Sequence, residues 1–116
     1  MPPEKIKFNF KADNIFLNID TAIPCGLIIN ELATNSLKYA FPNDKTGEIN
    51  IVIRSIDDGF ELIVSDNGIG LPQGFNIYDS TTLGLKLVTG LVGQLKGEME
   101  IKREYGTMFQ IKFNTQ

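Results

Sequence analysis

Apolar and polar residues alternate in KIKFNF (5–10) and again in NIFLNI (14–19). A period of two predicts two short strands, joined at Ala12-Asp13 as a hairpin. Helix-start signals follow at Thr21 and Pro24, with Pro24 near the first turn. From there apolar residues recur at helical spacing to about Phe41, where Pro42, Asn43 and Gly47 end the helix. EINIVIRSI (48–56) and FELIVSD (60–66) flank Asp57-Asp58-Gly59, a strong hairpin turn. Residues 67–82, NGIGLPQGFNIYDSTT, read as a long loop. A second helix is predicted over 83–95, with Leu87, Val88, Leu91, Val92 and Leu95 as its apolar stripe. EMEIKRE (98–104) and TMFQIKF (107–113) close the chain as a hairpin around Tyr105-Gly106. Strand pairs separated by helices predict an α+β layer, helices on one face of a mostly antiparallel sheet of about five or more strands.

The first helix carries an order that a plain amphipathic helix would lack. NELATNSLKYAF (30–41) places Glu31, Asn35 and Lys38 at i, i+4 and i+7, stacking a carboxylate, an amide and an ammonium on one side. At about 100° per residue, Cys25, Ile29, Leu32, Ala33, Leu37 and Ala40 cover the opposite side and can pack on the sheet. Ser36 falls within that side. Its hydroxyl can bond back to the Leu32 carbonyl, so it is given a packing role only. Leu27 and Ile28 are placed on the polar side one turn earlier. A face that begins apolar and becomes polar suits a covered pocket, although a solvated face with a Glu31–Lys38 contact satisfies the same spacing.

Composition narrows the partners. The 116 residues are 42% hydrophobic, which suits one domain, 1–116, with a real core. A net charge of -3 argues against nucleic acid held by bulk charge, so an anionic ligand needs a few aimed donors. Cys25 stands alone, consistent with a reducing compartment and a cytoplasmic domain. No apolar run reaches membrane-spanning length, so no direct membrane contact is expected, and any membrane anchor would lie elsewhere in the parent chain. The abrupt start is expected of a domain taken out of that longer parent. There is no histidine, which forbids a histidine phosphoacceptor within the chain.

Two glycine-bearing stretches offer a nucleotide site. In SDNGIGLP (65–72), Asp66 ends a strand as a free acceptor, and Gly68 and Gly70 permit close backbone approach. A carboxylate there can accept from adenine's 6-amino group and would repel guanine's 6-oxygen. Asp-Asn-Gly also makes a turn with no ligand at all. A P-loop is absent, and GIGLPQG misses the dinucleotide fingerprint by one position. STTLGLKLV (80–88) runs a loop into a helix start, where free N–H groups can bind anions; Thr81 or Thr82 can equally be a simple N-cap. Gly90 and Gly93 weaken a helix interior, and close contact with the sheet or an adjoining domain would compensate.

In this order the stretches resemble the ATP-binding domain of the GHKL superfamily of sensor histidine kinases, DNA gyrase, heat-shock chaperones and mismatch-repair ATPases. NELATNSLKYAF resembles the N box, SDNGIGLP the first glycine box, TTLGLKLV the second, and YGTMFQIKF the closing strand pair. KYAFP and the compact second box are similar to sensor histidine kinases of the short-lid type. The resemblance implies a two-layer α/β sandwich of the Bergerat type, binding ATP and Mg²⁺. By motif, Asn35 would ligate Mg²⁺, Lys38 would contact a phosphate and Tyr39 would lie against adenine. Asp66 would bind the adenine amino group, with Gly68 and Gly70 admitting the backbone and Thr107 supporting Asp66 or a bridging water. Leu83, Gly84 and Leu85 would form the lid hinge, and Glu31 stands where related ATPases carry a water-activating base. The chain departs from the pattern in reading TLGL for GLGL, and Phe75 and Tyr78 are the only aromatic candidates for a lid.

The function this implies is a histidine kinase catalytic domain, its catalytic residues Glu31 and Lys38, acting on a histidine in a separate dimerisation domain upstream. A response regulator would follow in the relay. The alternatives are a gyrase- or chaperone-type ATPase with Glu31 as general base, and a serine kinase of the anti-sigma type. A sheet presenting Phe8, Phe10 and Phe16 to single-stranded RNA is a different class, and its basic footprint is missing.

Overall fold

The computed structural model describes residues 6–13, 15–41, 46–69, 83–103 and 106–114, with only the backbone described at Tyr39 and Leu83. The elements run β1 (Ile6–Ala12), α1 (Ile19–Tyr39), β2 (Gly47–Ile56), β3 (Gly59–Asp66), α2 (Leu83–Gln94), β4 (Glu98–Lys102) and β5 (Thr107–Asn114). Among the described residues the five strands form one sheet in the order β1-β2-β3-β5-β4. β1 is parallel to β2, and the other neighbours are antiparallel. Both helices lie on one face of this sheet, the two-layer α+β arrangement expected from the pattern.

The expected hairpin between 5–10 and 14–19 does not form. β1 pairs in parallel with β2 from Ile6↔Gly47 to Ala12↔Ile53, and the Asp13 N–H extends the ladder to the Ile53 carbonyl at 3.1 Å. Residues 15–18 are not a strand, and α1 already begins at Ile19. The alternation there has another cause. Ile15 and Leu17 pack against the core, Phe16 between them is 96% exposed, and Asn18 is the helix N-cap. Its side chain accepts from the Thr21 N–H at 3.1 Å, which satisfies one orphan donor of the first turn. Pro24 therefore lies inside α1 rather than at its start.

The core is assembled from one line of each helix and alternate residues of three strands. Cys25, Ile28 and Leu32 of α1 and Leu85, Val88 and Val92 of α2 meet Ile51, Phe60, Leu62, Val64, Phe109, Ile111 and Phe113. The Phe60 and Phe113 rings stack at 4.8 Å across β3 and β5, a favourable offset geometry. Ile28 is fully buried, so it belongs to the core side of α1 and not to the polar side on which the helical wheel placed it. Burial pushes the Cys25 thiol up to about 11, which keeps it protonated and inert at neutral pH.

The opposite face of the sheet is held by charge. Arg54, Glu61, Lys112 and Glu98 are successive cross-strand partners over β2, β3, β5 and β4, so signs alternate along the row. Glu61 is only 2% exposed. Arg54 Nη2 and Nε reach its Oε1 at 2.6 and 2.7 Å, and Gln110 Nε2 donates to Oε2 at 2.6 Å. Burial alone would raise its pKa, but the hydrogen bonds from Gln110 and Arg54 and the charges of Arg54 and Lys112 outweigh burial and hold it below the ordinary value. A depressed carboxylate contributes stability that is present above its unfolded pKa and is lost as pH falls through the folded one. Glu61→Gln should therefore cost stability at pH 7, and the difference from wild type should shrink below the ordinary value of 4.5. Urea unfolding at pH 7 and at about pH 3 checks this. A difference that does not vary with pH would mean that the charge of Glu61 contributes nothing.

Candidate functional site

The site is built where the last turns of α1 meet the end of β3. Asp66 is the final residue of β3 and is 6% exposed, on the helix-facing side with Leu62 and Val64. A carboxylate so placed needs donors, since burying one unbonded costs several kcal/mol. Ser36 Oγ donates to its Oδ2 at 2.8 Å, and the Gly68 N–H donates to its Oδ1 at 3.0 Å. Ser36 is itself 7% exposed. Its expected packing role is therefore corrected: its hydroxyl bonds Asp66 rather than the preceding turn of its own helix. Sequence reasoning missed the bond because back-bonding to Leu32 offered a local partner for a serine already on the packing side, on the buried line Cys25, Ile28, Leu32, Ser36.

The loop after Asp66 is fastened to the same helix end. The Ile69 N–H donates to the Ala40 carbonyl at 2.9 Å, and the Asn67 side chain accepts from the Glu48 N–H at 2.8 Å. Gly68 has no room for a side chain, since a Cβ would stand 2.5 Å from Ala40 Cβ and collide with the Ala40 carbonyl. On the other side, Thr107 pairs with Asp66 across β3 and β5 and is buried. Gly106, with φ 103, lies against the Asp66 carbonyl, where only a residue lacking Cβ fits.

The predicted polar side of α1 is a flank of the helix. Glu31 and Asn35 are half-buried and Lys38 is exposed in the last turn. The Asn35 amide nitrogen is buried and has no hydrogen-bond partner among the described residues. Glu31 reaches α2: a Cβ at Gly84, in its first turn, would collide with the Glu31 carboxylate. Leu85 points the other way, into the core. The structure thus brings together Asp66, Ser36, Gly68 and Thr107 around one strand end, and Glu31 with Gly84 at the helix–helix contact. The side chains of Tyr39 and Leu83, and all of Gly70, Pro72, Gly74, Phe75, Tyr78, Thr81 and Thr82, lie outside the described residues.

Of the two contacts expected to compensate for Gly90 and Gly93, the one with the sheet is not made. Both glycines are exposed, with nothing within 4 Å of a Cβ built on either. A cavity of about 720 Å³ lies on the open face of the sheet, bordered by Arg54, Asp57, Asp58, Lys96 and Lys112 among others. None of the predicted site residues borders it. Among the described residues no group of three or more His, Cys, Asp or Glu could hold a metal, and no helix is long and apolar enough to cross a membrane.

The sequence matches a family model. Residues 20–116 match the model of the histidine kinase-, DNA gyrase B- and HSP90-like ATPases. The chain belongs to this family. It is 35% identical over 106 residues to sensor histidine kinase PdtaS of Mycobacterium tuberculosis, covering 88% of this chain and 21% of that protein. It is 32% identical over 100 residues to blue-light-activated histidine kinase 2 of Erythrobacter litoralis, covering 84% of this chain and 29% of that one. The chain therefore spans less than a third of these relatives. The solved Erythrobacter litoralis EL346 blue-light activated histidine kinase superposes with a TM-score of 0.89 at 28% identity, covering 95% of this chain and 35% of that one.

The contrast between packed and open glycines is testable. Gly68→Ala should destabilise the domain by about 1–3 kcal/mol, as overpacking does. Gly90→Ala, with open space and a helical backbone, should stabilise it by about 0.5–1 kcal/mol. Thermal or urea unfolding of both variants checks the pair, and equal shifts in one direction would refute the packing argument.

Proposed function

We propose that this chain is the ATP-binding catalytic domain of a histidine kinase. It binds Mg·ATP and positions the γ-phosphoryl group for transfer to a histidine on a dimerisation domain of the parent, from which a response regulator receives it. The observation that carries the reading is the buried Asp66 carboxylate, bonded by the neutral donors Ser36 and Gly68, with Ser36 next in α1 to Asn35, whose buried amide nitrogen has no partner among the described residues. The histidine kinases among its relatives supply the class of reaction.

In this reading Asp66 accepts from the adenine 6-amino group, Tyr39 lies against the ring, and Gly68 and Gly70 let the backbone approach. Thr107 supports Asp66 from the neighbouring strand. The Asn35 side-chain oxygen would serve as the single protein ligand of Mg²⁺ while phosphates and water supply the rest. The buried amide nitrogen, without a partner among the described residues, calls for an acceptor such as a phosphate oxygen or water. Bound Mg²⁺ would neutralise charge on the phosphates during transfer. Lys38, exposed on the last turn, would meet a phosphate. Leu83, Gly84 and Leu85 would hinge the segment that closes over it. Glu31, against Gly84, would orient or deprotonate the incoming imidazole.

Calorimetric titration should give tighter binding of Mg·ATP than of Mg·GTP by well over tenfold, and Asp66→Asn should remove most of that preference. Asn35→Ala should lose most of the Mg²⁺-dependent gain in ATP affinity, on the order of tenfold, while adenosine binding stays nearly intact. An Asn35 variant with unaltered Mg²⁺ dependence would show that the amide holds no metal.

Because the chain has no histidine, labelled ATP should leave no base-stable, acid-labile label on it. Added to a histidine-bearing dimerisation segment of its own parent, it should transfer such label, and Glu31→Gln should slow transfer more than it weakens ATP binding. Steady ATP turnover by the chain alone, abolished in Glu31→Gln, would instead establish the gyrase-type ATPase. Acid-stable label on a protein partner would establish the serine kinase.

A further inference from the structure

A carboxylate is not by itself a reader of adenine. With both oxygens turned toward a base, it matches guanine's adjacent N1–H and 2-amino donors, whereas adenine offers one exocyclic donor beside a ring acceptor. An aspartate that could rotate freely at the end of β3 would therefore accommodate guanine by presenting its two oxygens as a fork. Selectivity for a 6-amino purine requires that the carboxylate be held in one orientation.

The structure supplies two tethers for this. Gly68 N–H engages Oδ1 at 3.0 Å and Ser36 Oγ engages Oδ2 at 2.8 Å. One donor fixes one oxygen; the second fixes the plane. Asp66 and Ser36 are both buried, so water does not readily replace either bond. Ser36 is also rigidly placed, since its carbonyl accepts the Ala40 N–H at 3.0 Å in the turn that receives the Ile69 N–H. The two tethers come from opposite sides, one from α1 and one from the loop.

We propose that Ser36 is a specificity-determining positioning residue: its hydroxyl locks the Asp66 carboxylate in the orientation that accepts from a 6-amino purine and denies guanine the two-oxygen fork. This rests on Asp66 being the base-binding carboxylate. Ser36 acts through Asp66 and carries out no step of phosphoryl transfer.

The test compares Mg·ATP, Mg·GTP and Mg·ITP affinities for wild type, Ser36→Ala and Ser36→Thr, with thermal unfolding as a folding control. Ser36→Ala should narrow the ATP-to-GTP ratio by about tenfold. The relative gain should be larger for GTP than for ITP, which lacks the 2-amino group, and Ser36→Thr should keep the ratio within about threefold of wild type. Parallel weakening of all three nucleotides, or an unchanged ratio, would overturn the assignment and leave Asp66 as a base reader that needs no positioning. A wild-type chain with no preference for ATP would overturn the Asp66 reading itself, and this inference with it. Should the alanine variant not fold, Ser36→Cys, near-isosteric with a weak donor, is read in the same way: an unaltered ratio refutes the proposal and a narrowed one supports it.

Discussion

The buried carboxylate of Asp66 dictates much of what surrounds it. Left without donors it would cost the fold several kcal/mol, a large part of the stability of a domain this size. Its donors come from residues 30 positions back and 2 positions ahead in the chain. Satisfying both requires the last turns of α1 to lie directly over the end of β3. That placement explains the small residues nearby. Ala40 receives the returning loop, Gly68 passes against Ala40 without a side chain, and Gly106 passes against the Asp66 carbonyl.

A second buried carboxylate sits on the same strand and is handled differently. Glu61, five residues earlier and on the other face, is paired with the Arg54 guanidinium and lies opposite Lys112. Its charge is compensated within the protein, as a structural ion pair requires. Among the described residues Asp66 is bonded by a hydroxyl and an amide N–H, which orient it without cancelling its charge. Two acids of similar burial thus differ in what they leave open. Glu61 has its needs met by the sheet, whereas in the proposed reading Asp66 takes a further donor from outside. The cavity beside Glu61, although large, is bordered by residues of both charges and by none of the predicted site residues, which is why volume alone does not locate the site.

Much of this was legible in the sequence, and the failures have specific causes. Asp57-Asp58-Gly59 marked the β2–β3 turn correctly, and the switch from period two to helical spacing located both helices. Asp66, Gly68 and Thr107 were singled out and are brought to one strand end, because strand termini and glycines are local signals. The first strand pairing failed because local alternation cannot reveal a partner 41 residues away: Asn9 bonds Asn50 across the parallel pair, while Ile15 and Leu17 alternate only to meet the core. Ser36 was missed since a serine on a buried helical line has a local explanation, back-bonding, that hides a partner on a distant strand. Nothing in the sequence separates these readings.

Why α1 tolerates polar groups toward its C-terminus follows from what its middle turns bury. Full burial of an aliphatic side chain contributes about 1.5–3 kcal/mol, so Ile28 and Leu32 together supply about 3–6 kcal/mol. An unpartnered buried amide such as Asn35 costs about 1–3 kcal/mol. The apolar turns therefore outweigh the polar ones and hold the helix in place with the amide unsatisfied. The same balance makes Asn35 responsive: a ligand that bonds its amide recovers that cost without first having to fold the helix. Fold and site share α1 on these terms, the middle turns anchoring the helix in the core and the C-terminal turns carrying the Ser36 donor to the end of β3.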